Sequence, residues 1–278
     1  MSNGNSLLIG ISGASGFIGR NLTNFLNAQG DQVLELSRSI DTGLVSISNK
    51  ELIKTCDTFV HLGEPANINQ TNRSGVIDHD PTSGFLDFLV NEFGPRLLYA
   101  SSAAVYGTNS LNPHKVTEGV HSYDAYTEMK IKHEEMVLSE GGRILRLSNI
   151  FGPGMSHETV MYRLRRQIQE GAPISVGLNS IRDYLYIDEV VRAIFLTIGK
   201  DSPLIMNIGS GCGRSISDLI DSLSQVLRIQ VSLAGDEGMQ GNLDCSILDI
   251  AATTEALDWV PNLDFEGQLS RIFGVKGF

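Results

Sequence analysis

The stretch SLLIGISGASGFIGRNLTNFLNAQG, residues 6–30, decides the fold of this 278-residue chain. Its apolar run at 7–11 predicts a buried strand, and a glycine-rich turn then leads into a helix that ends at Gly30. Glycines leave no side chain between the backbone and a ligand, and a helix amino terminus attracts a pyrophosphate. A tight turn without a ligand is the alternative. The strand before the turn and the helix after it favour a dinucleotide site, assigned to Gly13, Ser15, Gly16, Phe17, Ile18 and Gly19.

A second informative pattern is the run YTEMK, in which Tyr126 and Lys130 are four residues apart. On a helix these two residues share one face, so we expect the lysine ammonium to lie beneath the phenol. A nearby positive charge stabilises a phenolate and suits the tyrosine to general acid–base chemistry. Ser102 can donate a second hydrogen bond to the same substrate oxygen. Such a pair also arises by chance on solvated helices, but together with the glycine turn it suits the interconversion of an alcohol and a ketone beside a hydride carrier.

Seven segments, in one order along the chain, carry a resemblance to a known family. They are GASGFIG (13–19), DTFVHLG (57–63), LLYASSAAVYG (97–107), YTEMK (126–130), LRLSNIFGPG (145–154), RDYLYIDEV (182–190) and LDWVP (257–261). The chain resembles the extended short-chain dehydrogenases/reductases, in their nucleotide-sugar epimerase/dehydratase branch. The resemblance implies an α/β fold, with a Rossmann-type parallel sheet flanked by helices and a smaller mixed α/β substrate domain. It also implies a catalytic set of Ser102, Tyr126 and Lys130, a second role for Lys130 at the nicotinamide ribose, and dinucleotide contacts at Leu62 and Gly63.

Composition limits the partners of the chain. Its formal net charge of −11 argues against nucleic acid or an anionic membrane as the main partner. Three widely spaced cysteines suggest a reducing compartment and provide no metal framework. The polar first residues and the short apolar run after them do not resemble a signal peptide, and no stretch reaches the ~20 apolar residues of a membrane span. We therefore expect a cytoplasmic protein without a metal.

Predicted strands and helices alternate in the first half of the chain, as in a parallel sheet flanked by helices. The strands are predicted at 32–37, 44–48, 58–63, 96–102 and 143–148. The pattern then becomes mixed, with a loop at 149–154, a basic helix at 161–171, a strand at 173–176, and helices that start near Asp188 and after Ser217. By resemblance, the Rossmann domain comprises 1–148 plus about 184–200, and the substrate domain about 149–183 plus 201–278.

The choice of cofactor depends on the end of the second predicted strand. An acidic residue there would bind the adenosine ribose and repel a 2′-phosphate, but the chain has Ser37 followed by Arg38. Arginine suits a phosphate by charge and bidentate geometry, and serine adds hydrogen bonds. NADP(H) is therefore favoured. NAD(H) is the alternative, in which Arg38 stacks on the adenine or points to water.

The resemblance also implies two substrate contacts. Asn149 would lie near the sugar or the first phosphate, and Arg182 matches an arginine that binds the nucleotide diphosphate. A surface ion pair of Arg182 with Asp183 or Asp188 is the alternative. Two departures from the family pattern weaken the predicted diphosphate clamp and indicate an atypical nicotinamide pocket. They are the absence of a second arginine near Gln240, and the segment EPANINQTN (64–72) after HLG.

The absence of an acid–base pair after Ser102 limits the reactions that the chain can be expected to catalyse. Dehydratases of this branch carry an Asp-Glu pair directly after the catalytic hydroxyl residue, whereas this chain has Ala103 and Ala104. Dehydration is therefore not expected, and hydride transfer at a carbonyl or carbinol is the reaction that remains. The first hypothesis is an NADPH-dependent reductase of a nucleotide-linked keto sugar, expected to be a 4-keto-6-deoxyhexose, and Arg38 favours it.

Two other hypotheses stay open. One is an NAD-dependent nucleotide-sugar 4-epimerase, which would use the same residues. The other is a dinucleotide-sensing regulatory protein, which the complete Ser-Tyr-Lys set disfavours. By resemblance, a homodimer would form through the helix with Tyr126 and the apolar segment FLDFLV (85–90), although the same segment would also suit a buried helix.

Overall fold

The computed structural model describes residues 6–37, 50–64, 71–72, 82–172, 180–230 and 244–274. Its strands are β1 (Leu8–Ser12), β2 (Gln32–Leu36), β3 (Thr58–His61), β4 (Leu97–Ser102), β5 (Arg143–Leu147), β6 (Asn149–Phe151), β7 (Ser180–Tyr186), β8 (Ile205–Ile208), β9 (Gly213–Ser215) and β10 (Asp244–Ser246). Its helices are α1 (Phe17–Gln29), α2 (Lys50–Ile53), α3 (Ser83–Phe93), α4 (Ala125–Ser139), α5 (Val160–Glu170), α6 (Ile187–Thr197), α7 (Ile216–Leu227), α8 (Ala251–Leu257) and α9 (Phe265–Phe273).

Six parallel strands form the large sheet, in the order β2-β1-β3-β4-β5-β8. All four residues of β3 are buried, as expected for a parallel sheet that is covered on both faces. Because β2 and β3 lie on opposite sides of β1, the winding of the chain reverses there. Such a reversal opens a crevice at the carboxyl ends of the strands, where ligands bind in open α/β sheets. The predicted Rossmann-type sheet is confirmed.

The predicted smaller α/β part of the chain contains a second sheet, in which parallel and antiparallel pairs are mixed. Its central strand β7 pairs in parallel with β6 and β10 and antiparallel with β9. Buried Asp183 of β7 accepts hydrogen bonds from the backbone of Ser210 at 2.7 Å, of Gly211 at 3.1 Å and of Leu248 at 3.3 Å. Ser210 and Gly211 follow β8 of the large sheet, so this carboxylate joins the two sheets.

The structure corrects part of the expected organisation. Segment 204–211, which we assigned to the substrate domain, contributes β8 to the edge of the large sheet beside β5. The predicted loop at 149–154 begins as β6, and the predicted boundary at 183/184 falls inside β7. Strands of three or four residues are too short to show a period, which is why the sequence did not reveal them. The predicted strands at 44–48 and 173–176 lie outside the described residues, and the rest of the domain division stays a prediction.

Helix packing shows where two further predicted segments lie, residues 184–200 and the apolar segment 85–90. Helix α6 contacts α1, which is consistent with the expected return of residues 184–200 to the large sheet. In α3, Phe85, Leu86, Leu89 and Val90 are buried in one core cluster with Phe59 of β3. This core packing uses the apolar residues of FLDFLV within one chain, and the homodimer stays a prediction. Among the described helices, none has the length and apolar character needed to cross a membrane.

Replacing Asp183 with asparagine tests the joint between the two sheets. The amide has one acceptor oxygen where the carboxylate has two, and its NH₂ group would face backbone N–H donors. We expect the free energy of unfolding to fall by about 2–3 kcal/mol, measured by urea denaturation. The control is Asp201→Asn at a fully exposed carboxylate, which should change stability by less than about 0.5 kcal/mol. Similar losses of stability in both variants would contradict the conclusion that Asp183 joins the two sheets.

Candidate active site

The glycine turn lies against the segment that follows β3. Gly13 has a positive φ of 72°, and a Cβ atom there would lie 2.7 Å from the carbonyl oxygen of Leu62. A Cβ atom on Gly19 would overlap the carbonyl oxygen of Gly13. Gly63 is also close to the turn, because a Cβ atom there would lie 3.1 Å from the Cβ atom of Ser12. These close approaches explain why the turn needs glycine, and they bring Leu62 and Gly63 to the predicted dinucleotide site.

The amino terminus of α1 has the features of an anion site. Gly16 precedes the helix in an extended conformation and provides no side-chain cap, and the first turn has no acidic residue. The first backbone N–H groups of a helix point outward and carry the positive end of its dipole. Ser15 and Gly16 are exposed and Phe17 and Ile18 are half-buried, so the predicted residues surround an accessible helix terminus.

Ser37 lies beside this turn. It follows β2, and the carbonyl oxygen of Leu36 accepts a hydrogen bond from the backbone of Gly13 at 2.9 Å. The Ser37 side chain is exposed and adjacent to the crevice. Arg38 lies outside the described residues, so its assignment to a 2′-phosphate stays a prediction.

The structure brings the predicted Ser-Tyr-Lys set to the carboxyl edge of the large sheet. Ser102 is the last residue of β4 and is half-buried, and its Oγ accepts a hydrogen bond from Ala104 N at 3.2 Å. Tyr126 lies in the first turn of α4, which Asp124 begins with a capping box to Thr127. A helix started by this cap places Tyr126 and Lys130 one turn apart on the same buried face, as predicted.

Lys130 has partners that the expectation did not include. Its ammonium was expected beneath the Tyr126 phenol, and it lies over that ring, 6.0 Å from the ring centre. It also donates to Oε2 of Glu64 at 2.7 Å and to the carbonyl oxygen of Ala100 at 2.8 Å. The ring of Tyr99 lies 4.9 Å away. The nearest charge to the lysine is therefore a carboxylate that the sequence analysis did not identify.

Glu64 is at the centre of a buried polar cluster. Its Oε2 also accepts from the Tyr99 hydroxyl at 2.6 Å, and its Oε1 lies 2.6 Å from Nδ1 of His133. Nε2 of His61 lies 3.6 Å from the same Oε1, and Nδ1 of His61 lies 2.6 Å from Ser12 Oγ. Burial opposes ionisation of the carboxyl, but Lys130 and the histidines outweigh burial and hold the pKa of Glu64 well below its ordinary value. The sequence signal was an acidic residue directly after a buried strand, in the segment noted above as atypical.

A second buried pair lies one turn further along α4. Glu134 binds Arg146 of β5 at 2.6 Å and accepts from Ser101 Oγ at 2.5 Å. The same guanidinium donates to the hydroxyl of Tyr106 at 2.7 Å, and that hydroxyl donates to Asn207 of β8 at 2.9 Å. This chain of contacts fixes the helix against β4, β5 and β8, and so fixes where Tyr126 lies.

The two predicted substrate residues lie on neighbouring strands of the small sheet. Asn149, at the start of β6, is exposed, and its Nδ2 lies 3.4 Å from the carbonyl oxygen of Asp183. Arg182 of β7 binds Oδ1 of Asp244 at 2.6 Å. The alternative considered for Arg182 was an ion pair with Asp183 or Asp188, and the structure corrects the partner to Asp244 of β10. The adjacent Cys245 N donates to the carbonyl oxygen of Thr108, six residues after Ser102, so this pair lies beside the loop that leaves the site.

Comparisons with known proteins show a family and a fold. The sequence model of the NAD dependent epimerase/dehydratase family matches residues 9–209. A putative UDP-glucose 4-epimerase of Methanocaldococcus jannaschii is 23% identical, covering 95% of this chain and 97% of its own. A dTDP-6-deoxy-L-talose 4-dehydrogenase (NAD(P)(+)) of Kitasatospora kifunensis is 22% identical over 91% and 90%. The structure of UDP-glucose 4-epimerase from Thermotoga maritima with UDP-glucose has a TM-score of 0.82 at 22% identity, covering 96% and 97%, and shares the fold.

Alanine at Gly13 tests the dinucleotide site. The added Cβ would enter the narrow gap to Leu62, so the turn must move away from the position in which its N–H groups meet a pyrophosphate. We expect the affinity for NAD(H) or NADP(H) to fall at least about tenfold, measured by calorimetric titration. The matched control is Gly30→Ala, since Gly30 also has a positive φ of 93° but its Cβ would meet nothing within 4 Å. Equal affinity losses would contradict the assignment.

Proposed function

The chain belongs to the NAD dependent epimerase/dehydratase family, and we propose that it transfers hydride at a sugar carbon of a nucleotide-linked substrate, with Tyr126 as the acid–base group. The observation that carries this proposal is the position of Tyr126 and Lys130. They share one buried face of α4, and Lys130 bonds the Ala100 carbonyl oxygen of β4, the strand that ends at Ser102, at the sheet edge where the glycine turn also lies. A hydride carrier and an acid–base group are both needed to interconvert a carbinol and a ketone, and the two candidate sites face the same crevice.

Each residue of the set has a distinct part in the reaction. A bound dinucleotide supplies or accepts the hydride. Tyr126 takes the proton of the substrate hydroxyl as the carbinol becomes a ketone, and returns it when the ketone is reduced. Ser102 donates a hydrogen bond to the same oxygen, and Lys130 places a positive charge near the phenolate. Ala103 and Ala104 carry no acid or base, so elimination of water is not part of the proposed reaction.

A nucleotide-sugar 4-epimerase is the first candidate. Its two half-reactions are opposite, so the proton taken by Tyr126 goes back to the same substrate and the cofactor ends unchanged. The family description specifies NAD, and the relatives from M. jannaschii and T. maritima are named as UDP-glucose 4-epimerases. These names support NAD as the cofactor and a nucleotide-linked hexose as the substrate class.

A reductase of a nucleotide-linked keto sugar is the second candidate, and one sequence observation favours it. Ser37 and Arg38 stand where an acidic residue would select NAD, and arginine suits the 2′-phosphate of NADPH. The substrate would be a 4-keto-6-deoxyhexose, with Tyr126 giving its proton to the alkoxide. The similar K. kifunensis protein is named as a dehydrogenase that uses NAD(P)(+), which supports such a reaction on this fold.

The retained cofactor distinguishes the two candidates. The protein should be purified without added dinucleotide and denatured, any released dinucleotide identified by mass, and the native protein titrated with NADH and NADPH. Retained NAD is expected for the epimerase, because a hydride that returns to the same substrate needs a cofactor that stays. An empty protein that prefers NADPH would support the reductase. A protein that binds neither would overturn both.

Phenylalanine at Tyr126 tests the acid–base role. Because the variant keeps the ring and loses only the hydroxyl, turnover should fall at least about 100-fold while dinucleotide affinity stays nearly unchanged. The control is Tyr123→Phe, three residues earlier, whose exposed hydroxyl bonds the Tyr106 carbonyl oxygen at 3.2 Å. Steady-state kinetics with a nucleotide sugar that the wild type converts measure both variants. Undiminished turnover of Tyr126→Phe would refute the assignment.

Alanine at Arg38 tests the second candidate. Loss of the guanidinium removes the partner of a 2′-phosphate but not of a ribose hydroxyl, so NADPH affinity should fall by at least about tenfold more than NADH affinity. Titration of both dinucleotides into the wild type and the variant measures the difference. Equal losses would mean that Arg38 does not recognise the phosphate.

A further inference from the structure

The buried carboxylate of Glu64 has no part in the reaction as described so far. Building on the function proposed above, we propose that Glu64 is a positioning residue: it keeps the Lys130 ammonium charged and fixed in place, so that the lysine can stabilise the Tyr126 phenolate. Glu64 itself touches neither the substrate nor the reacting atoms in this proposal. It acts only through the lysine.

Geometry supports this role first. The Lys130 side chain is nearly fully buried, with 7% of it exposed, and Glu64 is buried to a similar degree. Three side chains from two elements hold the carboxylate: Lys130 and His133 of α4, and Tyr99 of β4. Both oxygens are therefore held in position, and Oε2 lies 2.7 Å from the ammonium. A carboxylate that is fixed in this way leaves the lysine only a small range of positions.

The charges around the lysine give the second argument. Tyr126 and Glu134 contribute from α4, and Glu64 from the segment after β3. The Tyr99 ring of β4 lies 4.9 Å from the ammonium. Behind them, His61 of β3 and His133 of α4 face Glu64, and Arg146 of β5 is paired with Glu134. Since Glu134 is neutralised by its own arginine, Glu64 is the carboxylate that compensates Lys130.

A buried lysine needs such compensation to stay charged. Burial by itself would lower the pKa of Lys130, but Glu64, more than the other groups, reverses this effect and raises the pKa above its ordinary value. Without the carboxylate, the carbonyl oxygen of Ala100 is the remaining hydrogen-bond acceptor of Lys130 among the described residues. A carbonyl dipole compensates a charge less well than an anion does, so the ammonium would lose its proton at a lower pH.

The first test measures the titration of the Lys130 side chain directly and needs no substrate. Glu64→Gln keeps the volume of the side chain and removes its charge. Side-chain ¹³C/¹⁵N NMR of the lysines follows the titration of Lys130, whose signal is assigned by its loss in Lys130→Arg. We expect the titration to move down by at least about one pH unit relative to wild type. The matched control is Tyr99→Phe, which removes a hydrogen bond to the same Oε2 and keeps the Glu64 charge. It should leave the titration within about 0.3 units of wild type.

The second test measures the reaction. In Glu64→Gln, kcat at neutral pH should fall about 10- to 100-fold with little change in the KM of the sugar substrate, because the lysine is less well placed. The alkaline limb of the pH–kcat profile should move down together with the Lys130 titration. If the ion pair has only a structural role, Glu64→Gln will lower the melting temperature and leave the alkaline limb of the pH–kcat profile unchanged. That outcome would overturn the proposal.

A shorter side chain keeps the proposal testable if the glutamine variant does not fold. Glu64→Asp retains the charge but draws it back from the ammonium, so both the NMR titration and the alkaline limb should move in the same direction by a smaller amount. An unchanged Lys130 titration in this variant would overturn the role of Glu64. If the wild type shows no activity on any nucleotide sugar, the proposed function fails, whereas the NMR titration still decides whether Glu64 holds the lysine charge.

Discussion

A lysine ammonium buried at the centre of an α/β protein must be compensated, and the architecture around the candidate site follows from that requirement. Lys130 is paired with Glu64 at 2.7 Å, and both side chains are removed from water. Leaving one partner of a buried ion pair without the other costs roughly 3–5 kcal/mol. The pair therefore fixes α4 against the segment after β3. Tyr126, one turn earlier on the same helix face, is fixed with it.

The buried face of α4 is unusual because polar groups dominate it. Lys130, His133 and Glu134 are buried there, between the apolar Met129 and Val137. An ordinary surface helix packs through an apolar stripe, whose attraction does not depend on direction. Here the contacts are charged hydrogen bonds, Lys130 to Glu64 and Glu134 to Arg146, which specify both the depth and the rotation of the helix. Such specificity suits a helix that must present one phenol hydroxyl to a substrate.

The sequence predicted those parts of the site that depend on local spacing. The glycine turn between a strand and a helix, and the Tyr126–Lys130 spacing on a capped helix, are local patterns, and the structure has both. Glu64 and Lys130 are 66 residues apart, so no local pattern could show that they meet. The same reason applies to β8, a four-residue strand whose place beside β5 is decided by tertiary packing. The resemblance gave the family, and the sequence showed that the segment with Glu64 departs from the family pattern, but the contact of Glu64 with Lys130 had to be found in the structure.

The ion pair between Arg182 and Asp244 bears on the substrate, because a diphosphate at Arg182 would compete with this carboxylate for the guanidinium. The pair differs physically from the one at Lys130: 23% of the arginine side chain and 41% of the aspartate side chain are exposed. Exposed ion pairs contribute about 0–1 kcal/mol, so the pair itself resists replacement weakly. The side chains of Ser180 and Thr108 also donate hydrogen bonds to this carboxylate. A diphosphate brings more negative charge than one carboxylate and can take both N–H groups of the guanidinium fork. The released Asp244 would still lie near the anion and repel it, so the pair is compatible with a nucleotide-linked substrate and lowers the affinity that Arg182 alone would give.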